Sequence, residues 1–307
     1  MALHHEGFDA EMLVEPGVST HTFDASSERI IFDSESMRRT TSMVDGTGIR
    51  GTRTRHYGRI TAGNYSVAGD IVFRPGQTEI NNWLPRILFG TESTDDFPFA
   101  DDIPDASYFG VLIDKGGDIH QYNDCVVSRA TFSASAGQAL VVRLEIVGKT
   151  ETLPSWPGSP PAVFAAAEDS LPILMSSGTL TLGGNTYYFE DFECVIDNMI
   201  DVQFRNSASA VALVPQDRMV TLRCNMDYQD TNVLYGAETA IAGTLDFVPV
   251  TDQHVTFTFP KLIAPKETPV VTGKTAIMNN ITFTAYGDDY TDYTDNELYI
   301  TNDLTGS

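Results

Sequence analysis

Alternation of apolar and polar residues with a period of two is the feature that most constrains how this chain folds. It is clearest at four places, where apolar or small residues occupy every second position of 65–73, 140–146, 220–226 and 255–259. Successive side chains of a β-strand point to opposite faces of a sheet, so each segment predicts a strand with one buried face. The segment 277–285 is rich in Ile, Thr and Phe, which also favour a strand. The sequence therefore predicts a mainly β fold.

One segment has a helical period instead. After a Pro-Gly pair, apolar residues recur three or four positions apart, at Ile80, Trp83, Leu84, Ile87 and Leu88. This stripe predicts a helix of about 11 residues whose apolar face packs on a sheet. Thr78 is the predicted cap at its start and Gly90 at its end, while Pro85 lies inside it, where proline kinks or shortens a helix. A weaker pattern predicts a second short helix at 232–241.

The chain of 307 residues is long enough for two domains. Five prolines fall between Pro154 and Pro172, and repeated proline favours an extended, semi-rigid spacer. This predicts a first domain at 1–152, a Pro-rich linker at 153–171 and a second domain at 172–307.

An internal repeat supports a duplication. Glycine pairs open two similar stretches at Gly116 and Gly183, which are offset by 67 residues. Each is followed by a predicted turn that contains Ser-Ala-Ser-Ala, beginning at Ser133 or Ser207, and then by a predicted strand. The repeat predicts that one chain carries two versions of one sheet.

A formal net charge of −23 argues against a conventional nucleic-acid-binding protein, because such a chain repels a polyanion at long range. The same acidity suits either the wall of a DNA conduit, which must not grip its cargo, or simple solubility. No apolar run is long enough to span a bilayer, and the amino terminus does not resemble a signal peptide, so we expect no membrane insertion and no secretion by that route.

Candidate reactive residues are few. The chain has three isolated cysteines in alternating apolar segments and six histidines without metal-ligand spacing, and no catalytic motif was found. The acidic run from Gly287 lacks the spaced ligands and terminal glutamate of a calcium loop. We therefore expect no cofactor, no metal and no enzymatic activity, and we expect buried thiols at Cys125, Cys194 and Cys224.

A basic segment stands out in this acidic chain. Residues 38–59 are rich in glycine and threonine, with Asp45 as the one acidic residue among six arginines, Arg38, Arg39, Arg50, Arg53, Arg55 and Arg59. This composition predicts a long loop or hairpin. Three interpretations remain open: the arginines bind DNA phosphate, dock on the acidic surface of another protein copy, or are solvated without a partner.

Two stretches of the first half resemble the tail tube proteins of long-tailed bacteriophages. They are AGNYSVAGDIVFRPGQTEINNWLPRILFG at 62–90 and FGVLIDKGGDIHQYNDCVVSRATFSASAGQALVVRLEIVGKTE at 109–151. Their order of strand, short helix, strand, hairpin and closing strand is that of the family. The resemblance covers residues 60–151 and is only topological over 172–307.

The resemblance implies two tail-tube-like β-sandwich or partial-barrel domains, each with a short flanking helix. It implies stacked rings around a channel for DNA delivery, made of homotrimers with pseudo-sixfold symmetry, and a loop near 38–59 that reaches the adjacent ring. The implied partners are copies of the chain, tape-measure, terminator and distal tail proteins, and phage DNA passing without sequence-specific binding. The implied location is the virion tail, with assembly in the host cytoplasm.

Two other functions remain as alternatives at this point. One is a different phage ring protein, such as a tail terminator or a baseplate hub, which forms single rings rather than long tubes. The other is a carbohydrate-binding β-sandwich module, although the sequence has no cluster of exposed aromatic residues to promote it.

Overall fold

The computed structural model describes residues 10–18, 21–23, 27–46, 57–90, 95–116, 118–154, 171–228, 239–250, 253–266, 277–287 and 296–304. The strands in the first half of the chain are β1 (Glu11–Pro16), β2 (Glu28–Arg29), β3 (Ser34–Glu35), β4 (Arg38–Asp45), β5 (Ile60–Phe73), β6 (Asp96–Phe97), β7 (Phe109–Asp114), β8 (Ile119–Ser135), β9 (Val141–Gly148) and β10 (Thr150–Thr152). Those in the second half are β11 (Gly178–Leu182), β12 (Asn185–Tyr187), β13 (Phe189–Asp197), β14 (Asp201–Gln203), β15 (Ala212–Val214), β16 (Met219–Asp227), β17 (Ile241–Val250), β18 (Gln253–Ile263), β19 (Met278–Tyr286) and β20 (Tyr299–Asp303). The predicted mainly β fold is confirmed.

Within the described residues the main sheet contains eight antiparallel strands, and it runs through both halves of the chain. Its order is β4-β5-β9-β8-β13-β16-β19-β18. The central pair joins the two halves, because Arg129–Ser135 of β8 lie opposite Asp191–Asp197 of β13. A second layer covers one face of this sheet. Over the first half it contains β2, β1, β7 and the helix. Over the second half it contains β12, β11, β17, β20 and the first part of β18, whose end belongs to the main sheet.

The core lies between these layers. Phe132 of β8 contacts Phe257 of β18 with ring centroids 5.1 Å apart, and Phe192 of β13 contacts Phe247 of β17 at 5.5 Å. Buried side chains of both halves form one continuous cluster. The division at 153–171 stays a prediction, and the structure adds that the two halves share a sheet and a core.

The helix α1 (Gln77–Leu88) packs against this core. All five residues of its predicted apolar stripe are buried, and Trp83 contacts the ring of Phe109 edge-on at 5.5 Å. Its start differs from the prediction, because Gly76 and not Thr78 is the cap and the Glu79 carboxylate accepts the Gly76 N–H at 3.0 Å. The helix continues through Pro85 to Leu88, and its C-terminal cap is Phe89 and not the predicted Gly90. Most of the second predicted helix, at 232–238, lies outside the described residues.

Pairing follows one scheme in both halves. In the first half the pairs are β1–β2, β1–β7, β7–β8, β8–β10, β8–β9, β9–β5 and β5–β4. In the second half they are β11–β12, β11–β17, β17–β18, β18–β20, β18–β19, β19–β16 and β16–β13. Each strand of the first scheme has a counterpart in the second, in the same chain order and the same position in the sheet.

This correspondence differs from the repeat predicted with an offset of 67 residues. That alignment matches β8 with β13, whereas the pairing scheme matches β13 with β4 and β18 with β8. The two glycine-led hairpins are alike locally, but they occupy different positions in the two halves. Ser133 and its neighbours also belong to strand β8 and not to a turn.

Candidate functional site

The outer edge of β4 is the open side of the main sheet. The backbone N–H of Ser36 donates to the Asp70 carbonyl at 2.9 Å, so even-numbered residues from Ser36 to Thr40 direct their backbone N–H and C=O groups toward β5. Because successive residues of a strand alternate in direction, the backbone groups of Arg39 and Thr41 point away from β5. Within the described part of the chain, no strand pairs with this edge. An unpaired edge of this length is a template for a strand of another chain.

The paired strands β4 and β5 extend beyond the body of the sheet, and we call the stretch 38–66, of which 38–46 and 57–66 are described, the arm. Side chains on both faces of the arm are exposed over most of β4 and the first few residues of β5. The exposed apolar side chains of the arm include Met43 (65% exposed), Val44 (52%) and Tyr57 (92%). A two-stranded ribbon is marginally stable by itself, so these exposed apolar groups favour a partner.

Three of the six predicted arginines lie at described positions on the arm. Arg38 and Arg39 are exposed on β4, and Arg59 is exposed beside the start of β5. The Arg39 guanidinium stacks 3.8 Å above the Tyr65 ring. The other three predicted contacts, Arg50, Arg53 and Arg55, lie outside the described residues. The role of all six stays a prediction.

The second half has a shorter counterpart of the arm between β13 and β16, which we call the tip (residues 198–218). The tip folds onto the first half, where Tyr65 donates its backbone N–H to the Ala208 carbonyl at 2.9 Å. Its apolar residues form a cluster with Val126 and Val147 of β8 and β9. These contacts join residues that are distant in the chain, so no local sequence pattern indicates them.

The solvent-facing side of the main sheet is polar, and its arginines are paired. Arg129 binds Asp197 on the adjacent strand, and Arg143 binds Asp70 in the same way. Arg223 lies 3.2 Å from Asp191. Hydrogen bonding to Asp197 raises the pKa of Arg129, so this cation stays charged and engaged. These arginines are neutralised by carboxylates of neighbouring strands, a pattern that alternation alone does not reveal.

The cysteines and two of the histidines are buried or paired within the fold. All three cysteines are buried and unpaired, and burial raises the pKa of Cys194 to about 12. His120 lies 2.9 Å from Glu151, and His254 lies 3.1 Å from Asp246. In the described residues no group of three or more His, Cys, Asp or Glu side chains has the proximity needed to hold a metal ion. No helix in the same residues is long and apolar enough to cross a membrane.

Comparison with known proteins identifies a family. The family model described as phage tail tube protein matches residues 11–285. No curated protein matches the chain. The family match covers both halves and confirms the resemblance predicted from residues 60–151.

Proposed function

The chain belongs to the phage tail tube protein family, and we propose that it assembles into stacked rings whose channel delivers phage DNA into the host. The single observation that carries this proposal is the pairing scheme shared by the two halves, combined with their junction at β8 and β13. Four strands, β4-β5-β9-β8, are followed in the same sheet by their four counterparts, β13-β16-β19-β18. We call the movement that carries one set of four strands onto the next set the step. Its repetition from chain to chain generates a closed cylinder of strands.

The step preserves strand direction, which a ring requires. Neighbouring strands of the sheet are antiparallel, so a shift of four positions brings each strand onto one that runs the same way. A rotation about a tube axis has this property. The β8–β13 junction inside the chain is then the template for the contact between chains, with β4 of one copy placed beside β18 of the next. Three such chains form a homotrimer ring with pseudo-sixfold symmetry.

The solvent-facing side of the main sheet lines the channel in this arrangement. Its arginines are held by carboxylates on neighbouring strands, and other positions on this face include the uncharged polar residues Thr131, Ser133, Thr221, Asn225, Asn280 and Thr282. Such a wall offers few free cations to DNA phosphates. DNA therefore passes without sequence-specific binding and without strong adhesion, and the protein acts as a structural conduit with no enzymatic activity.

The arginines of the arm contact the adjacent ring. The rest of the chain supplies an excess of carboxylates, and arginine pairs with carboxylates in a bidentate geometry. Tape-measure protein inside the tube, and terminator and distal tail proteins at its ends, complete the set of partners. The assembled protein is located in the virion tail, after assembly in the host cytoplasm.

Electron microscopy of the purified protein tests the proposal. Long tubes are expected, whereas single rings indicate a terminator or hub, and a monomer that binds glycans indicates a carbohydrate-binding module. A variant in which five arm arginines are changed to glutamine is expected to fold normally but not to stack, the five being Arg38, Arg39, Arg50, Arg53 and Arg55. Neutralising the exposed Arg29, Arg74 and Arg205 is the control and leaves stacking intact. Tubes of normal length from the arm variant refute the inter-ring role.

A further inference from the structure

We propose that the base of the arm also seats in a specific cleft at the end of the second half of a neighbouring chain in the same ring. The cleft has a volume of about 510 Å³, and its lining includes Met199, Arg218, Met219, Thr284 and Tyr286. This inference rests on the proposed assembly and names the surface that receives the arm. It places the arm base in a lateral contact, whereas the arginine contact proposed above is between rings.

The chain already contains one copy of this contact. Strand β8 leaves its pairing with β7 at Cys125 and joins β9 at the pair Val126–Val147. The tip of the second half covers this point, so that Val126 is fully buried together with Ala210 and Leu213 of the tip. The tip therefore closes the end of the first half, where the two layers of the fold separate.

At the corresponding point of the second half, large apolar side chains are exposed. Strand β18 pairs with β17 as far as Leu262 and pairs with β19 at Lys261–Ile263, opposite Thr284–Tyr286. Around it Met219 is 43% exposed, Tyr286 49% and Ile263 38%. Among the described residues nothing plays the part that the tip plays in the first half. Large apolar side chains exposed together at a concave site are typical of a protein interface.

The occupant follows from the strand correspondence. The tip joins β13 to β16, and the arm joins their counterparts β4 and β5. When β4 of the next chain lies beside β18, as β13 lies beside β8, its arm projects over the cleft as the tip projects over Val126. The arm of a second copy is therefore the segment that reaches this site.

The chemistry of the two surfaces is complementary. The arm presents exposed Met43 and Val44, which match the apolar part of the cleft lining at Met199, Met219 and Tyr286. The rim of the cleft carries carboxylates at Asp101, Asp217 and Glu297. Of these, Glu297 binds Arg218 at 2.8 Å, so polar groups surround the apolar contact, as they do at other protein interfaces.

Cysteine cross-linking in assembled tubes tests the seat. Met43→Cys combined with Tyr286→Cys places one thiol on the arm and one on the cleft, while the native thiols are buried and give little background. Oxidation, or a short bis-maleimide, is expected to link most chains into one covalent species the size of a ring. Met43→Cys with Met219→Cys is the second pair, used if the first disturbs assembly.

A matched alternative pair distinguishes a lateral arm from a purely axial one. Tyr188 is 78% exposed at the opposite end of β13, where the base of an arm that contacts only the next ring would land. Tubes in which Met43→Cys links to Tyr188→Cys, or in which neither cleft pair links, overturn the seat while the tube function stands. Absence of tubes from the unmodified protein overturns the function itself.

Discussion

Asn198 connects the two halves at a point where its loss has a calculable cost. This residue follows β13 and is 3% exposed. Its side-chain N–H groups donate to the Ile87 carbonyl of α1 at 2.9 Å and to the Val127 carbonyl of β8 at 3.2 Å. The second half is thereby fixed to both the helix and the central strand of the first half.

Asn198→Ala removes both donors and leaves two carbonyls in a buried site. A buried polar group that loses its partner costs about 1–3 kcal/mol, so the loss of two partners should lower the free energy of unfolding by about 2–6 kcal/mol. Asn198→Asp keeps the shape but presents a carboxylate to two carbonyl oxygens, so we expect a larger loss at pH 7. The exposed Asn280 supplies the control, and Asn280→Ala should change stability by less than about 0.5 kcal/mol.

Urea unfolding of the unassembled protein, followed by fluorescence and circular dichroism, measures these differences. Coincident transitions from both probes are expected, because the halves share a sheet and a core. An Asn198→Ala variant as stable as the Asn280→Ala control would refute the idea that this side chain holds the halves together. Two separate transitions in the unmodified protein would refute the shared core as the source of its cooperativity.

Three further predictions concern the core and its titratable groups. Trp83→Ala should lower the free energy of unfolding by about 3–5 kcal/mol in the same assay, and Trp83→Phe by less, because the indole N–H has no hydrogen-bond partner among the described residues. Burial lowers the pKa of His21 below 6.5, so the unfolded chain binds a proton more readily than the folded chain, and the free energy of unfolding falls as the pH drops through 6.5. His21→Gln should flatten this dependence in urea titrations from pH 7.5 to 5.5. An unchanged slope contradicts the prediction. A thiol reagent should label no cysteine in the folded protein and three after unfolding, because burial raises the pKa of each thiol, and rapid labelling of the native state contradicts the burial of Cys125, Cys194 and Cys224.

Local pattern was enough to predict the helix α1 and the strands β5, β9, β16, β18 and β19, but not the arrangement of the elements. The stripe that begins at Ile80 repeats at helical spacing within one segment, so the helix was found to within a residue or two. The strands were predicted because each has its own buried face. The pairing of β8 with β13 joins residues about 60 positions apart, and no short-range pattern encodes it.

The misaligned repeat has a physical reason. Gly116 and Gly183 have positive φ values of 80° and 56° and open similar tight hairpins, so the two stretches look alike locally. The true counterparts diverge because β4 and β5 extend into the arm, whereas β13 and β16 enclose the shorter tip. The arm was foreseen as a basic loop or hairpin, but the cleft was not, since its walls come from several separated strands.

The strand count of the main sheet gives an independent reason to prefer three chains per ring. Eight strands from each of three chains make 24 strands, and with about 4.8 Å between strands and a tilt of about 40° the cylinder is about 48 Å across between backbones. Side chains that occupy about 5 Å of each wall leave a bore of about 38 Å. A B-form duplex with grooves about 8 Å deep is about 20 Å wide and passes freely. Two chains would leave a bore of about 22 Å, too narrow for hydrated DNA, and six chains would leave about 86 Å, far wider than the cargo requires. A ring mass measured on tubes dissociated to their smallest closed unit therefore decides the geometry: six chains per ring would mean that the eight strands do not all lie in one channel wall.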